Sequence, residues 1–108
     1  MAARIALVME TQIILPNSEP PNTITEVVAA LRKARLKPRH EAKNWGDWIH
    51  LEGHKTVISI ESMRGLTSSA TIEHASGEEQ GMVRDAIMKT FSSLGWEGVD
   101  EDGNYPLY

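Results

Sequence analysis

NWGDWIHLEGHKTVISIESMRGLTSSATIEH, residues Asn44 to His74, is the stretch whose reading decides the fold. It predicts three antiparallel strands. Gly53-His54 lies between Leu51-Glu52 and Lys55-Thr56 and suits a two-residue hairpin loop with glycine first, the type II′ preference. Pairing Glu52 with Lys55 sets Leu51 opposite Thr56, His50 opposite Val57, Ile49 opposite Ile58 and Trp48 opposite Ser59. Successive strand side chains alternate between faces, so Ile49, Leu51, Ile58 and Ile60 make an apolar face, and Trp48, His50, Val57, Ser59 and Glu61 take the other. Ala70 and Ile72 belong with the apolar set. A two-residue Arg64-Gly65 loop would pair Met63 with Leu66 and slip the third strand by one residue, turning Ser69 and Thr71 inward. The expectation is instead an odd-length loop with Gly65 in the left-handed position, which leaves Ser69, Thr71 and Glu73 on the polar face.

The flanking segments supply what covers the apolar face. Ile5 to Leu15 alternates with its odd positions, Ile5, Leu7, Met9, Thr11, Ile13 and Leu15, toward the core, and Pro16 ends that strand. Ala6 and Val8 make the opposite face of its first half apolar too, which suits a neighbouring subunit or the C-terminal tail. Thr23-Ile24-Thr25-Glu26 is a capping box. The helix it opens runs to Leu36 with Ile24, Val27, Val28, Leu31 and Ala34 on one stripe, and Pro38 stops it. Ser76-Gly77-Glu78-Glu79 is a second capping box, opening a helix that buries Met82, Val83, Ala86, Ile87, Phe91 and Leu94. Gly95 suits its left-handed terminator, with Trp96 packing back on Phe91. Residues 97–108 form an acidic, tyrosine-containing tail with a turn at Asp102-Gly103-Asn104, either docked as an extended segment or frayed.

The predicted order is strand, helix, three strands, helix, tail. The fold class that follows is α+β: a two-layer sandwich in which two helices pack on one face of a four-stranded, mainly antiparallel sheet, within a single domain spanning 1–108. A rival arrangement puts one helix on each face. The helix–three-strand–helix portion resembles the double-stranded-RNA-binding domain in element order alone. That family has a basic start to its final helix, where this chain has Glu78-Glu79-Gln80, and the extra N-terminal strand is a second departure.

Composition narrows the function classes. With no cysteine there is no disulfide framework, no thiolate-ligated metal and no thiol nucleophile, and a reducing compartment is the natural expectation. No apolar run approaches the roughly 20 residues of a membrane span, and the N-terminus lacks the pattern of a signal peptide, so the expected location is cytoplasmic. The formal net charge is -4, unevenly spread. Arg32, Lys33, Arg35, Lys37, Arg39 and Lys43 stand against Glu41 alone, while the other five cations face fourteen acids. An acidic body with one basic stretch disfavours nucleic-acid binding by the whole domain and leaves a local contact through residues 32–43.

Chemistry has three candidate sites. His50 and His54 share a metal-ligand spacing, but Gly53 and the alternation around it place them on a hairpin, and no metal or other cofactor is called for. His50, Glu61 and Glu73 lie on the polar sheet face near Trp48 and are the candidates for general acid–base work, set against the ordinary polarity of a solvated face. Trp45-Gly46-Asp47-Trp48 follows the basic stretch; the two tryptophans either cover a core edge or, with Arg39 and Lys43, form a partner contact. The leading expectation is a small non-enzymatic protein-interaction domain, self-associating or an acidic inhibitor of the immunity type. A small-molecule site around His50, Glu61 and Glu73 is the alternative.

Overall fold

The computed structural model describes residues 8–16, 20–51, 54–75 and 78–108. The chain forms strand β1 (Val8–Ile14), the short β2 (Asn22–Thr23), helix α1 (Ile24–Lys33), strands β3 (Pro38–Lys43), β4 (Gly46–Leu51), β5 (Thr56–Met63) and β6 (Leu66–Ala75), helix α2 (Glu78–Ser93), and the hairpin β7 (Glu97–Asp100) and β8 (Gly103–Pro106). All eight strands among the described residues belong to one antiparallel sheet, ordered β3-β4-β5-β6-β1-β7-β8, with β2 beside β6. The fold is α+β, and the expected four-stranded sheet is corrected to eight.

The additional strands have physical reasons. Pro38-Arg39-His40-Glu41-Ala42-Lys43 carries no apolar alternation, yet it pairs along its whole length with β4 as an edge strand. Proline at a strand start and charge along a strand are ordinary at a sheet edge. The predicted tail folds into β7 and β8, and Ile13 and Ile14 of β1 pair with Gly98 and Glu97. Such short polar strands are recruited by the free edge of β1, which no local pattern announces.

The meander keeps the predicted pairing of β4 with β5, Ile49 opposite Ile58 and His50 opposite Val57. Ala70 and Ile72 lie opposite Ile60 and Ile58 and are buried, as the alternation requires. The route to that parity differs from the expected odd-length loop. Met63 does pair with Leu66 across Arg64-Gly65, both at positive φ (55° and 78°), the two-residue type I′ arrangement. Ser68 is then the extra residue of a β-bulge, between the pairs Glu61–Ser69 and Ser62–Thr67, and it undoes the one-residue slip. The bulge also turns Thr67 inward, where its hydroxyl donates to the Asn22 carbonyl at 2.9 Å. Ala6, the side chain of Val8, the Gly53 turn position and the Ser76-Gly77 start of the second capping box lie outside the described residues.

One core joins both helices to one face of the sheet. Ile13, Ile49, Leu51, Ile58, Ile60, Ala70 and Ile72 meet Val27, Val28 and Leu31 of α1 and Ile87, Met88 and Phe91 of α2. The Thr23 capping box is present: its hydroxyl accepts from the Glu26 amide and its own amide donates to Oε1 of Glu26, both at 3.1 Å. Helix α1 ends at Lys33, before the expected Leu36, because Arg35 enters the left-handed region (φ 64°). The amides of Arg35 and Leu36 donate back to the Arg32 and Leu31 carbonyls, a Schellman closure that buries Leu36. Helix α2 closes the same way. Gly95 sits at φ 93°, the Trp96 amide donates to the Phe91 carbonyl at 3.0 Å, and the two rings meet edge-on at 5.2 Å. Met82, expected in the buried stripe, is 83% exposed, and Met88 takes the inward position.

Candidate functional site

Cross-strand pairing fixes the face that the helices leave open. One row runs Arg39, His50, Val57, Glu73, Glu10; the next runs Glu41, Trp48, Ser59, Thr71, Gln12; a third runs Lys43, Gly46, Glu61, Ser69, Ile14, Glu97. Asn44 and Trp45 make the two-residue turn between β3 and β4. Trp45 is 45% exposed, and its ring meets the edge of Trp48 at 6.0 Å. Neither tryptophan belongs to the core. Trp48 is the hub of a polar-aromatic cluster, with Lys43 Nζ at 4.7 Å over its ring and the His50 ring edge-on at 5.9 Å. Glu41 accepts from Lys43 at 2.8 Å and pairs with His50 Nε2 at 3.1 Å. The hydrogen bonds from Lys43, then from His50, hold the Glu41 carboxyl below the usual carboxylate range.

Trp45, Trp48 and Lys43 are thus brought together, with Arg39 on the same edge strand opposite His50. The triad His50, Glu61 and Glu73 is not assembled. His50 is turned to Glu41, and Glu73 lies two strands away across Val57, about 10 Å at the usual strand spacing. Glu61 lies in another row and accepts from Ser69 Oγ at 3.1 Å.

The open face is concave beside Trp45. A hollow of about 300 Å³ has Trp45 on one side, Gln12, Ile14 and Val99 on the other, and Ser59, Glu61, Ser69 and Thr71 between them. A second hollow, of about 460 Å³, shares Trp45 and Glu61 and adds Ser62 and Ser68. The indole and the carboxylate therefore form a wall common to both. Neither lining contains a histidine, so the hollows hold hydrogen-bonding and aromatic groups without an acid–base pair.

A polar cluster absent from the predicted site residues lies on the opposite face. Asp47 has the same strand parity as Ile49 and Leu51 and is 6% exposed. One carboxylate oxygen pairs with His40 Nε2 at 2.5 Å, and the other accepts from Ser62 Oγ at 2.7 Å. That parity was available in the sequence. The cluster clasps the edge strand β3 to β4 and β5 and leaves the two carboxylate oxygens engaged.

No group of three or more histidine, aspartate or glutamate side chains is placed to hold a metal ion among the described residues. Among those residues, too, no helix is long and apolar enough to cross a membrane. Comparison with protein families, with curated proteins and with solved structures returns no match.

Proposed function

We propose that this chain is a non-enzymatic protein-interaction domain that works in the cytoplasm and docks its partner on the open sheet face beside Trp45. One observation carries the reading. A half-exposed indole at a hairpin tip walls a concave, hydroxyl-lined face that neither helix covers. Tryptophan at the margin of a concave surface is a strong anchor for a partner, because it offers a large contact area with few rotatable bonds. The β3 edge of the sheet is a poorer docking site. β3 presents Arg39, His40, Glu41 and Lys43, a charged edge that opposes strand addition. The lack of cysteine fits a reducing compartment.

The test compares wild type with Trp45→Ala as bait in affinity capture from the native cell, with thermal melting measured on both. The expected result is an unchanged melting temperature, since Trp45 lies outside the core, together with loss of a partner that wild type retains in amounts near one per chain. Equal recovery by both proteins, or recovery by neither, rejects the docking site.

A further inference from the structure

Trp45 and Glu61 line both hollows, with the hydroxyls of Ser59, Ser69 and Thr71 on one side and Ser68 on the other, while the Ser62 hydroxyl is turned to Asp47 on the opposite face. An exposed indole next to a carboxylate and several hydroxyls suits a lysine or arginine side chain. The alkyl stem lies along the ring, the charged head meets the carboxylate, and the remaining N–H donors reach hydroxyl oxygens. The charges around the hollows agree. Glu61 shares its row with Glu97, and Lys43, the cation of that row, is already engaged by Glu41 and by the Trp48 ring. Elsewhere on the same face Glu10 and Glu73 are both exposed and directly opposite each other, and such like-charge pairs are unfavourable until a cation lies between them.

We infer that the open face receives an extended cationic segment of a protein partner, with one lysine or arginine side chain seated between Trp45 and Glu61. This rests on the docking reading above and names the chemistry of its occupant. The glutamates then select a basic partner over an acidic one and speed its encounter. A second copy of this chain would bring its own Glu10, Glu61 and Glu73 to the same surface.

The probe is a capped octapeptide of alternating lysine and serine, titrated into the full chain while amide and indole N–H resonances are followed by NMR. A glutamate–serine octapeptide and a dilution series of the protein alone are run beside it. The lysine peptide is expected to move the Trp45 indole N–H and the amides of Ser59, Glu61 and Ser69, and added salt to weaken it. Glu61→Gln should lower its affinity roughly tenfold, the loss of one charge-assisted contact, and Trp45→Ala should abolish the shifts, both variants melting as wild type does. Three results overturn the assignment: no shift at these residues, equal binding by Glu61→Gln, or equal binding of the glutamate peptide. Concentration-dependent shifts of the same residues in protein alone also overturn it, in favour of self-association. If Trp45→Ala loses the captured partner while the lysine peptide leaves these resonances unmoved, docking stands and the cationic occupant falls.

Discussion

Asp47 places a carboxyl group on the face of β4 that otherwise carries Ile49 and Leu51, and it is held there by His40 and Ser62. Removing the carboxylate by Asp47→Ala leaves both partners without their acceptor, and the expected loss is about 2–3 kcal/mol in a denaturant titration. Gly46, its neighbour, faces a different constraint. A β-carbon there would stand 2.1 Å from the Ile60 carbonyl oxygen, so Gly46→Ala must push β4 from β5 and should cost about 2–4 kcal/mol by the same measurement. Arg35 offers a gain in the other direction. It holds the left-handed helix terminus where Gly95 serves in α2, and Arg35→Gly should raise stability by about 0.5–1 kcal/mol, strain relieved outweighing the flexibility added to the unfolded chain. Glu41 sets a pH dependence. Its folded pKa lies below the ordinary 4.5, so its contribution is complete above that value and is lost as the pH falls through the folded pKa. Glu41→Gln should therefore be less stable than wild type near neutrality, and the difference should vanish in acid.

At the scale of elements, the bulge at Ser68 reconciles a two-residue turn with a buried Ala70 and Ile72. Its stabilising partner is Thr67, and Thr67→Val, which keeps the shape and removes the hydroxyl, should cost about 1–2 kcal/mol by leaving the Asn22 carbonyl without that donor. Periodicity made legible whatever buries an apolar stripe: β1, both helices, and the parity of the meander down to individual pairs. It missed β2, β3, β7 and β8, whose residues bury little and whose pairing depends on edges offered by distant segments. The turn at Arg64-Gly65 was misread because parity alone does not distinguish an odd loop from a two-residue loop with a compensating bulge. The same limit holds at the site. Trp45 and Trp48 were visible as neighbours in sequence, but Glu61 joins Trp45 only because β5 pairs with β4, and His50 pairs with Glu41 only because β3 exists.

At the scale of the molecule, the sheet divides the chain's chemistry by face. One face is consumed by the core that unites α1 and α2 with the sheet, and the helices leave the aromatic and acidic side chains of the other uncovered. The central claim is that this second face, and not the helical side, meets the partner. Photo-crosslinking in the native cell addresses it directly, with p-benzoylphenylalanine placed in turn at Thr71 on the open face and at the exposed Met82 of α2. The account predicts a discrete crosslinked species from position 71, lost in a Trp45→Ala background, and none from position 82. A product from position 82 with none from position 71 would contradict it.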